Sequence, residues 1–284
     1  MRVACAIAAL LLALSGLLRP ASAAEDRYFT TSDGVRLHYL EAGHGQTIVF
    51  VPGWTMPAWI FTPQIEAFAR HYHVIAFDPR GQGDSAIAPA GYEPVRRGQD
   101  IAELLATQGP APVLLVGWSL GVLDSLAYLH THGDARLAGL VLEDNSVGED
   151  PPPVAAKHPA RPGPTLPREV AMRNFVHAMF YRPQPRAYID RLTEACLRTP
   201  LPAAKALLAY PVPRTYWKEA VYATTRPVLY VVRPQFAGQA ANLAAHDPMA
   251  ESVVLRNVGH ALFVDDPTEF DTLVQDFIRR RVWH

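Results

Sequence analysis

Short, almost wholly apolar runs recur along the chain: Thr47–Val51 (TIVFV), Val74–Phe77 (VIAF), Val113–Gly117 (VLLVG), Leu137–Leu142 (LAGLVL), Val228–Val232 (VLYVV) and Ser252–Leu255 (SVVL). Several are rich in β-branched residues. A strand has this pattern when both of its faces are buried, as happens in parallel sheets covered by helices. The longer stretches between them, Pro63–Arg70, Gly98–Thr107, Leu120–His130 and Pro267–Arg280, are predicted to be helical. The alternation predicts an α/β fold with a mainly parallel sheet flanked by helices. Near the start, Tyr28–Thr31 and Val35–Glu41 flank Ser32-Asp33-Gly34, which predicts a β-hairpin.

Two stretches break the pattern. Val3–Leu18 is apolar except for Ser15 and Gly16, follows Arg2 and leads into Ala21-Ser22-Ala23. As a helix it would be about 24 Å long, short of the ~30 Å hydrocarbon core of a bilayer. A basic start, a short apolar run and a small-x-small site predict a signal peptide over residues 1–23, cleaved on export. The mature chain is then expected to begin near Ala24, to be periplasmic or secreted, and to insert stably in no membrane. Cys5 leaves with the leader, so Cys196 remains alone and no internal disulfide can form.

The second break begins at Pro151. Residues 151–213 hold 13 of the 26 prolines and no strand-like run, so this stretch stands outside the sheet. Its apolar residues fall into helical pieces, Arg173–Tyr181, Arg186–Thr199, Ala203–Ala209 and Tyr216–Ala223. Aromatic residues such as Phe175, Phe180, Tyr188 and Trp217 imply that these pieces pack on something. The expectation is a helical cap over residues 146–224, inserted between core segments 24–145 and 225–284.

Composition narrows the function classes. With 49% hydrophobic and 19% charged residues the chain is not intrinsically disordered. A formal net charge of −1 offers no attraction to nucleic acid or to an anionic membrane. No G-x-G-x-x-G or Walker motif is present, so no nucleotide cofactor is implied.

The chemistry-bearing signal is Gly117-Trp118-Ser119-Leu120-Gly121, between the apolar run Val113–Val116 and the predicted helix. A strand that turns this sharply into a helix needs glycine two residues away on each side of the serine. The turn lifts the Ser119 hydroxyl clear of the sheet and points the Leu120 N–H at a helix N-terminus, where an oxyanion can be stabilised. Three further segments occur in order: Val51-Pro52-Gly53-Trp54, Asp78-Pro79-Arg80-Gly81-Gln82-Gly83-Asp84-Ser85 and Gly259-His260. Together with the serine turn they make the chain resemble the α/β-hydrolase family, over nearly all of the mature sequence. The nearest resemblance is to the esterase, haloperoxidase-like and carboxylesterase branch with a helical cap.

The resemblance implies Ser119 as nucleophile, His260 as general base, and the backbone N–H groups of Trp54 and Leu120 as an oxyanion hole. Pro52 stands where the family usually has histidine, which removes a donor at that position only. Trp54 and Trp118 are expected to line the substrate pocket. The Asp78–Ser85 turn is expected to be structural. The family's usual place for the triad acid follows the seventh strand, but residues 233–246 (RPQFAGQAANLAAH) contain no carboxylate. Some members place it after the sixth strand, and Leu137–Leu142 runs directly into Glu143-Asp144. Asp144 is the favoured acid, and Glu143, Glu149, Asp150 and Asp247 remain open. The pairs His71/His73 and His130/His132 lack a third ligand motif, so no metal is expected.

A serine activated by a base forms an acyl-enzyme, so the implied reaction is hydrolysis of a small-molecule ester or lactone, with no cofactor. Haloalkane dehalogenases and epoxide hydrolases of this fold need Asp at the nucleophile position. The alternatives are a cofactor-free haloperoxidase or perhydrolase using the same triad, and a non-catalytic binding protein on this fold.

Overall fold

A computed structural model of the chain describes residues 23–152 and 166–283. The leader expected over residues 1–23, Ala23 apart, lies outside the described residues, as do positions 153–165 of the expected cap. Eight strands, β1 Glu25–Thr30, β2 Arg36–Gly43, β3 Thr47–Val51, β4 His73–Asp78, β5 Val113–Trp118, β6 Leu137–Glu143, β7 Val228–Val232 and β8 Ala250–Val254, form one sheet. Its order is β1-β2-β4-β3-β5-β6-β7-β8. β1 pairs with β2, and β2 with β4, in antiparallel fashion; every other pair is parallel. Strand β5, which leads into Ser119, thus lies between β3 and β6. This places the ends of β3, β5 and β6 side by side at the carboxyl edge, where ligands of open α/β sheets bind.

Side chains alternate across the strands and divide the core into two layers. Leu115, Leu140, Leu142 and Tyr230 pack on one side with α2 Pro94–Thr107, α3 Leu120–His132 and α8 Ala237–His246. Leu114, Val116, Val141 and Val231 pack on the other with α1 Thr62–Phe68, α9 Leu262–Asp265 and α10 Pro267–Phe277. Burial on both faces explains the unbroken apolar runs of β3, β5 and β7.

Among the described residues four helices lie between β6 and β7: α4 Arg168–His177, α5 Arg186–Arg198, α6 Leu201–Leu207 and α7 Thr215–Ala223. Met172, Val176, Ile189 and Leu192 of α4 and α5 join one layer, while Leu207, Ala220 and Val221 of α6 and α7 join the other. The insertion therefore straddles the sheet edge and packs on both sides of it. Helix α4 begins five residues earlier than the apolar pattern suggests, directly after Pro167, whose fixed φ suits a helix start. The apolar pattern does not mark helix α8, whose sequence AGQAANLAAH offers Leu243 as the only large apolar side chain. Among the described residues no helix is long and apolar enough to cross a membrane.

The Asp78–Ser85 turn is a buried structural knot. Asp78 accepts from the Ala58 N–H at 2.5 Å, the Asp84 N–H at 2.9 Å and His38 at 2.7 Å. Arg80 is fully buried and grips Asp100 through two bonds of 2.6 Å. His38, Asp78 and Asp84 come close together, but the two His38 nitrogens already face Asp78 and Asp26.

Candidate active site

Ser119 sits between the end of β5 and the first residue of α3, with φ 54° and ψ −117°. The turn is tight enough to exclude side chains two residues away on both sides of the serine. A Cβ on Gly117 would lie 2.4 Å from the Gly121 carbonyl, and one on Gly121 would lie 2.1 Å from the Val51 carbonyl. The turn is then tied down by neighbours: Ser119 N donates to Glu143 O at 2.9 Å, and the Asn145 side chain donates to Ser119 O at 2.8 Å. Tyr230 in turn donates to Asn145 O at 2.6 Å. Four described non-glycine residues have positive φ: Thr55, Ser119, Asp144 and Asn257. Such strain costs about 1–3 kcal/mol each and concentrates at functional sites; two of the four are the expected nucleophile and acid, and a third adjoins Trp54.

The three expected triad residues come together. His260 Nε2 lies 2.7 Å from Ser119 Oγ, and His260 Nδ1 lies 2.6 Å from Asp144 Oδ2. A carboxylate only accepts, so the proton resides on Nδ1 and Nε2 is free to accept from the serine hydroxyl. Asp144 is fully buried at the end of β6, and its N–H is held by Val231 O of β7 at 2.9 Å. The serine hydroxyl stands at the N-terminus of α3, whose first N–H groups have no intrahelical partner.

The model of the alpha/beta hydrolase family matches residues 48–272, most of the chain and all of this site. The chain belongs to the alpha/beta hydrolase family. A curated relative, the non-heme chloroperoxidase CPO-A1 of Kitasatospora aureofaciens, is 34% identical over 114 residues, 40% of this chain and 42% of that protein. The chain thus matches less than half the length of that relative. Among solved structures, a bromoperoxidase from Bacillus anthracis superposes with TM-score 0.74 at 18% identity, covering 90% of this chain and 100% of that one. An esterase from Exiguobacterium antarcticum gives TM-score 0.73 at 19% identity, with 90% and 100% coverage. These structures share the fold. Family membership supports hydrolase activity at the level of class.

One residue of this hydrolase's site was missed from the sequence. Arg233 follows β7, where the family usually has its acid. Its N–H and Nε donate to the two oxygens of Asp144 at 2.9 and 2.6 Å, and its Nη2 lies 3.4 Å from His260 Nδ1. A cation has replaced the acid at that place and instead fixes the carboxylate supplied by β6.

Trp118 does not line a pocket as expected. It is fully buried; its indole N–H donates to His260 O at 2.7 Å and its ring packs edge-on to Phe263 at 5.1 Å. The strand alternation that turns Ser119 outward turns Trp118 into the core, where it supports the histidine loop. Trp54 is half-buried between core and cap. Its indole N–H donates to Ala204 O of α6 at 2.7 Å, and Phe175 of α4 packs edge-on at 5.0 Å. Asp265 ties the same regions together from the other side, accepting from Gly259 N at 2.6 Å, Tyr181 N at 2.8 Å and Arg182 N at 2.9 Å.

The rival carboxylates are committed elsewhere. Glu149 accepts from Lys218 and Asn242 at 2.8 Å each and from Tyr222; against the cost of burial, these bonds hold its carboxyl down to about 2. Asp150 pairs with Arg214 at 2.9 Å, and Asp247 caps the Met249 N–H at 2.9 Å. Glu143 is fully buried, and among the described residues neither of its oxygens has a hydrogen-bond partner. Burial, and then the nearby Asp144 and Asp271, push its carboxyl well above the usual range.

Glu143 therefore keeps its proton in the folded state at pH values where the unfolded chain, titrating near about 4.5, has released it. Stability contributed by that proton is present at low pH and is lost as pH rises from there towards the folded value. Glu143→Gln removes this dependence. The variant's Tm relative to wild type is expected to be lowest near pH 4.5 and to climb as pH rises above it, with hydrolase activity retained. A Tm difference independent of pH, or loss of turnover in a well-folded variant, would contradict this.

Proposed function

We propose that this alpha/beta hydrolase is an exported serine hydrolase that cleaves carboxylic esters or lactones of small molecules through an acyl-enzyme. The observation that carries the reading is the unbroken chain from Ser119 Oγ through His260 to Asp144, at 2.7 and 2.6 Å. His260 Nε2 takes the hydroxyl proton as Ser119 attacks the ester carbonyl. The tetrahedral oxyanion is met by the N–H groups of Leu120 and Trp54, worth roughly 10²–10³ in rate per donor in comparable sites. His260 returns the proton to the departing alkoxide, leaving the acyl group on Ser119. Water, deprotonated by the same nitrogen, then attacks the acyl carbonyl, and the serine is released with a carboxylic acid product. Asp144 holds the tautomer and stabilises the imidazolium at each stage, and Trp54 with Phe175 forms an aromatic wall beside the reacting carbonyl.

The one sequence argument for a non-catalytic protein was the missing acid after β7, and Asp144, 2.6 Å from His260 Nδ1, counts against it. A second reading, attack on the same acyl-enzyme by hydrogen peroxide to give a peracid, is favoured by the 34% identity to a chloroperoxidase. Both readings are tested by a panel of p-nitrophenyl esters of graded acyl length, assayed with and without peroxide. Turnover in water supports the esterase. Peracid formation outrunning hydrolysis supports the second reading, and a folded protein inert on every ester contradicts both. Cleavage of the leader is tested separately, by N-terminal sequencing of exported protein, with Ala24 as the expected first residue.

A further inference from the structure

We infer that Gln82 is the positioning residue that holds the oxyanion loop in its working shape, acting through the backbone on both sides of Trp54. The inference rests on the acyl-transfer reading above. Residues Gly53 to Met56 form a four-residue turn closed by a bond from Met56 N to Gly53 O at 3.1 Å. Its third residue, Thr55, has φ 61°, a left-handed value that a β-branched residue adopts only under constraint. The constraint is the Gln82 carboxamide. Its Oε1 accepts the Thr55 N–H at 2.6 Å, while its Nε2 donates to Gly53 O at 3.2 Å and reaches Met56 O at 3.5 Å. One side-chain amide thus clamps the peptides before and after Trp54, the residue whose N–H is to face the oxyanion.

Among the described residues no other side chain bonds the backbone of Gly53, Thr55 or Met56. Pro52 has no N–H, and it stands where a hydrogen-bonding side chain would otherwise be available. Gln82 itself is almost fully buried and rigidly presented. Its N–H donates to Pro79 O at 2.9 Å and its carbonyl accepts from Ser85 N at 3.1 Å, within the Asp78–Ser85 knot. That knot also bonds Ala58 N, just beyond the loop, through Asp78 at 2.5 Å. The loop presses directly on the nucleophile, since a Cβ on Gly53 would lie 3.0 Å from Ser119 Cβ. Without the carboxamide, Thr55 can relax to an ordinary φ. The Trp54–Thr55 peptide then rotates, and the Trp54 N–H swings off the oxyanion position while Ser119, His260 and Asp144 stay in place. An oxyanion donor acts mainly in the transition state, so its misplacement shows in kcat and not in KM.

The test compares wild type, Gln82→Met, which keeps the side chain's length but has no amide, and Gln82→Glu, which keeps an oxygen for the Thr55 N–H. Each is assayed on p-nitrophenyl acetate and for inhibition by an alkylboronic acid, which forms a tetrahedral adduct on the active serine. Gln82→Met is expected to lose roughly 10–100-fold in kcat with KM within about twofold, and to lose boronate affinity in the same proportion, since a misplaced donor forfeits part of the roughly 10²–10³ that a removed one costs. Gln82→Glu is expected to recover part of both losses. Unchanged kcat in Gln82→Met, a loss carried by KM alone, or a boronate affinity that does not follow kcat overturns the inference and leaves the esterase reading standing. If Gln82→Met fails to fold, Gln82→Glu decides: an intermediate kcat with matching boronate affinity supports the inference, and wild-type values overturn it. Wild-type protein that turns over no ester removes the esterase reading and this inference together.

Discussion

Ser119→Ala is expected to abolish ester hydrolysis, lowering kcat by roughly 10⁴-fold or more, while the protein folds and melts as wild type does. The substitution removes one oxygen. The turn is packed through the close approach of Gly117 and Gly121 to their neighbours, not through the hydroxyl, so it survives. What is lost is the hydroxyl aligned with His260 Nε2, at 2.7 Å. Members of a triad act as a unit, so removing the nucleophile costs nearly as much as removing all three, and the residue is catalysis by the oxyanion donors alone. Steady-state kinetics on p-nitrophenyl acetate with a thermal melt of each protein suffices. Retention of more than a few per cent of turnover would mean that another group attacks the ester.

The second large effect is expected from Asp144→Asn, a fall in kcat of roughly 10²–10⁴ with little change in KM. Asp144 receives three donors: Arg233 N on Oδ1, and Arg233 Nε with His260 Nδ1 on Oδ2. An amide has one oxygen. With its nitrogen at the Oδ2 position it opposes the imidazole N–H and drives His260 to the wrong tautomer. With its nitrogen at the Oδ1 position it opposes the Arg233 N–H and strains the β7 end. Either placement leaves donors facing donors, so a stability loss of about 1–3 kcal/mol should accompany the kinetic one. Near-wild-type kcat in this variant, with a loss in Glu143→Gln, would move the acid to Glu143.

The sheet was legible because strands buried on both faces must be apolar throughout, and β3, β5, β6 and β7 stand within a residue or two of the predicted runs. Ser119 and His260 were legible because a strand–turn–helix nucleophile needs glycines at fixed spacing and the histidine follows the last strand. Asp144 could be favoured only by order and by the absence of a carboxylate after β7; its partnership with Arg233 joins residues 89 apart and leaves no local pattern. Trp118 was misread for a similar reason. An aromatic beside a nucleophile suggests a pocket wall, but the same alternation that exposes Ser119 buries its neighbour. The role of Gln82 was invisible because its partners are backbone groups of a distant loop, which carry no side-chain signature. Helix α8 leaves no strong apolar stripe because small residues bury against β8.

The central claim is that Ser119 is an activated nucleophile, and covalent trapping tests it most directly. Wild-type protein treated with a fluorophosphonate and digested should carry a single phosphonyl adduct, on Ser119, in step with the loss of esterase turnover. A folded protein that stays unlabelled, or one inhibited with the adduct on another residue, would contradict the account.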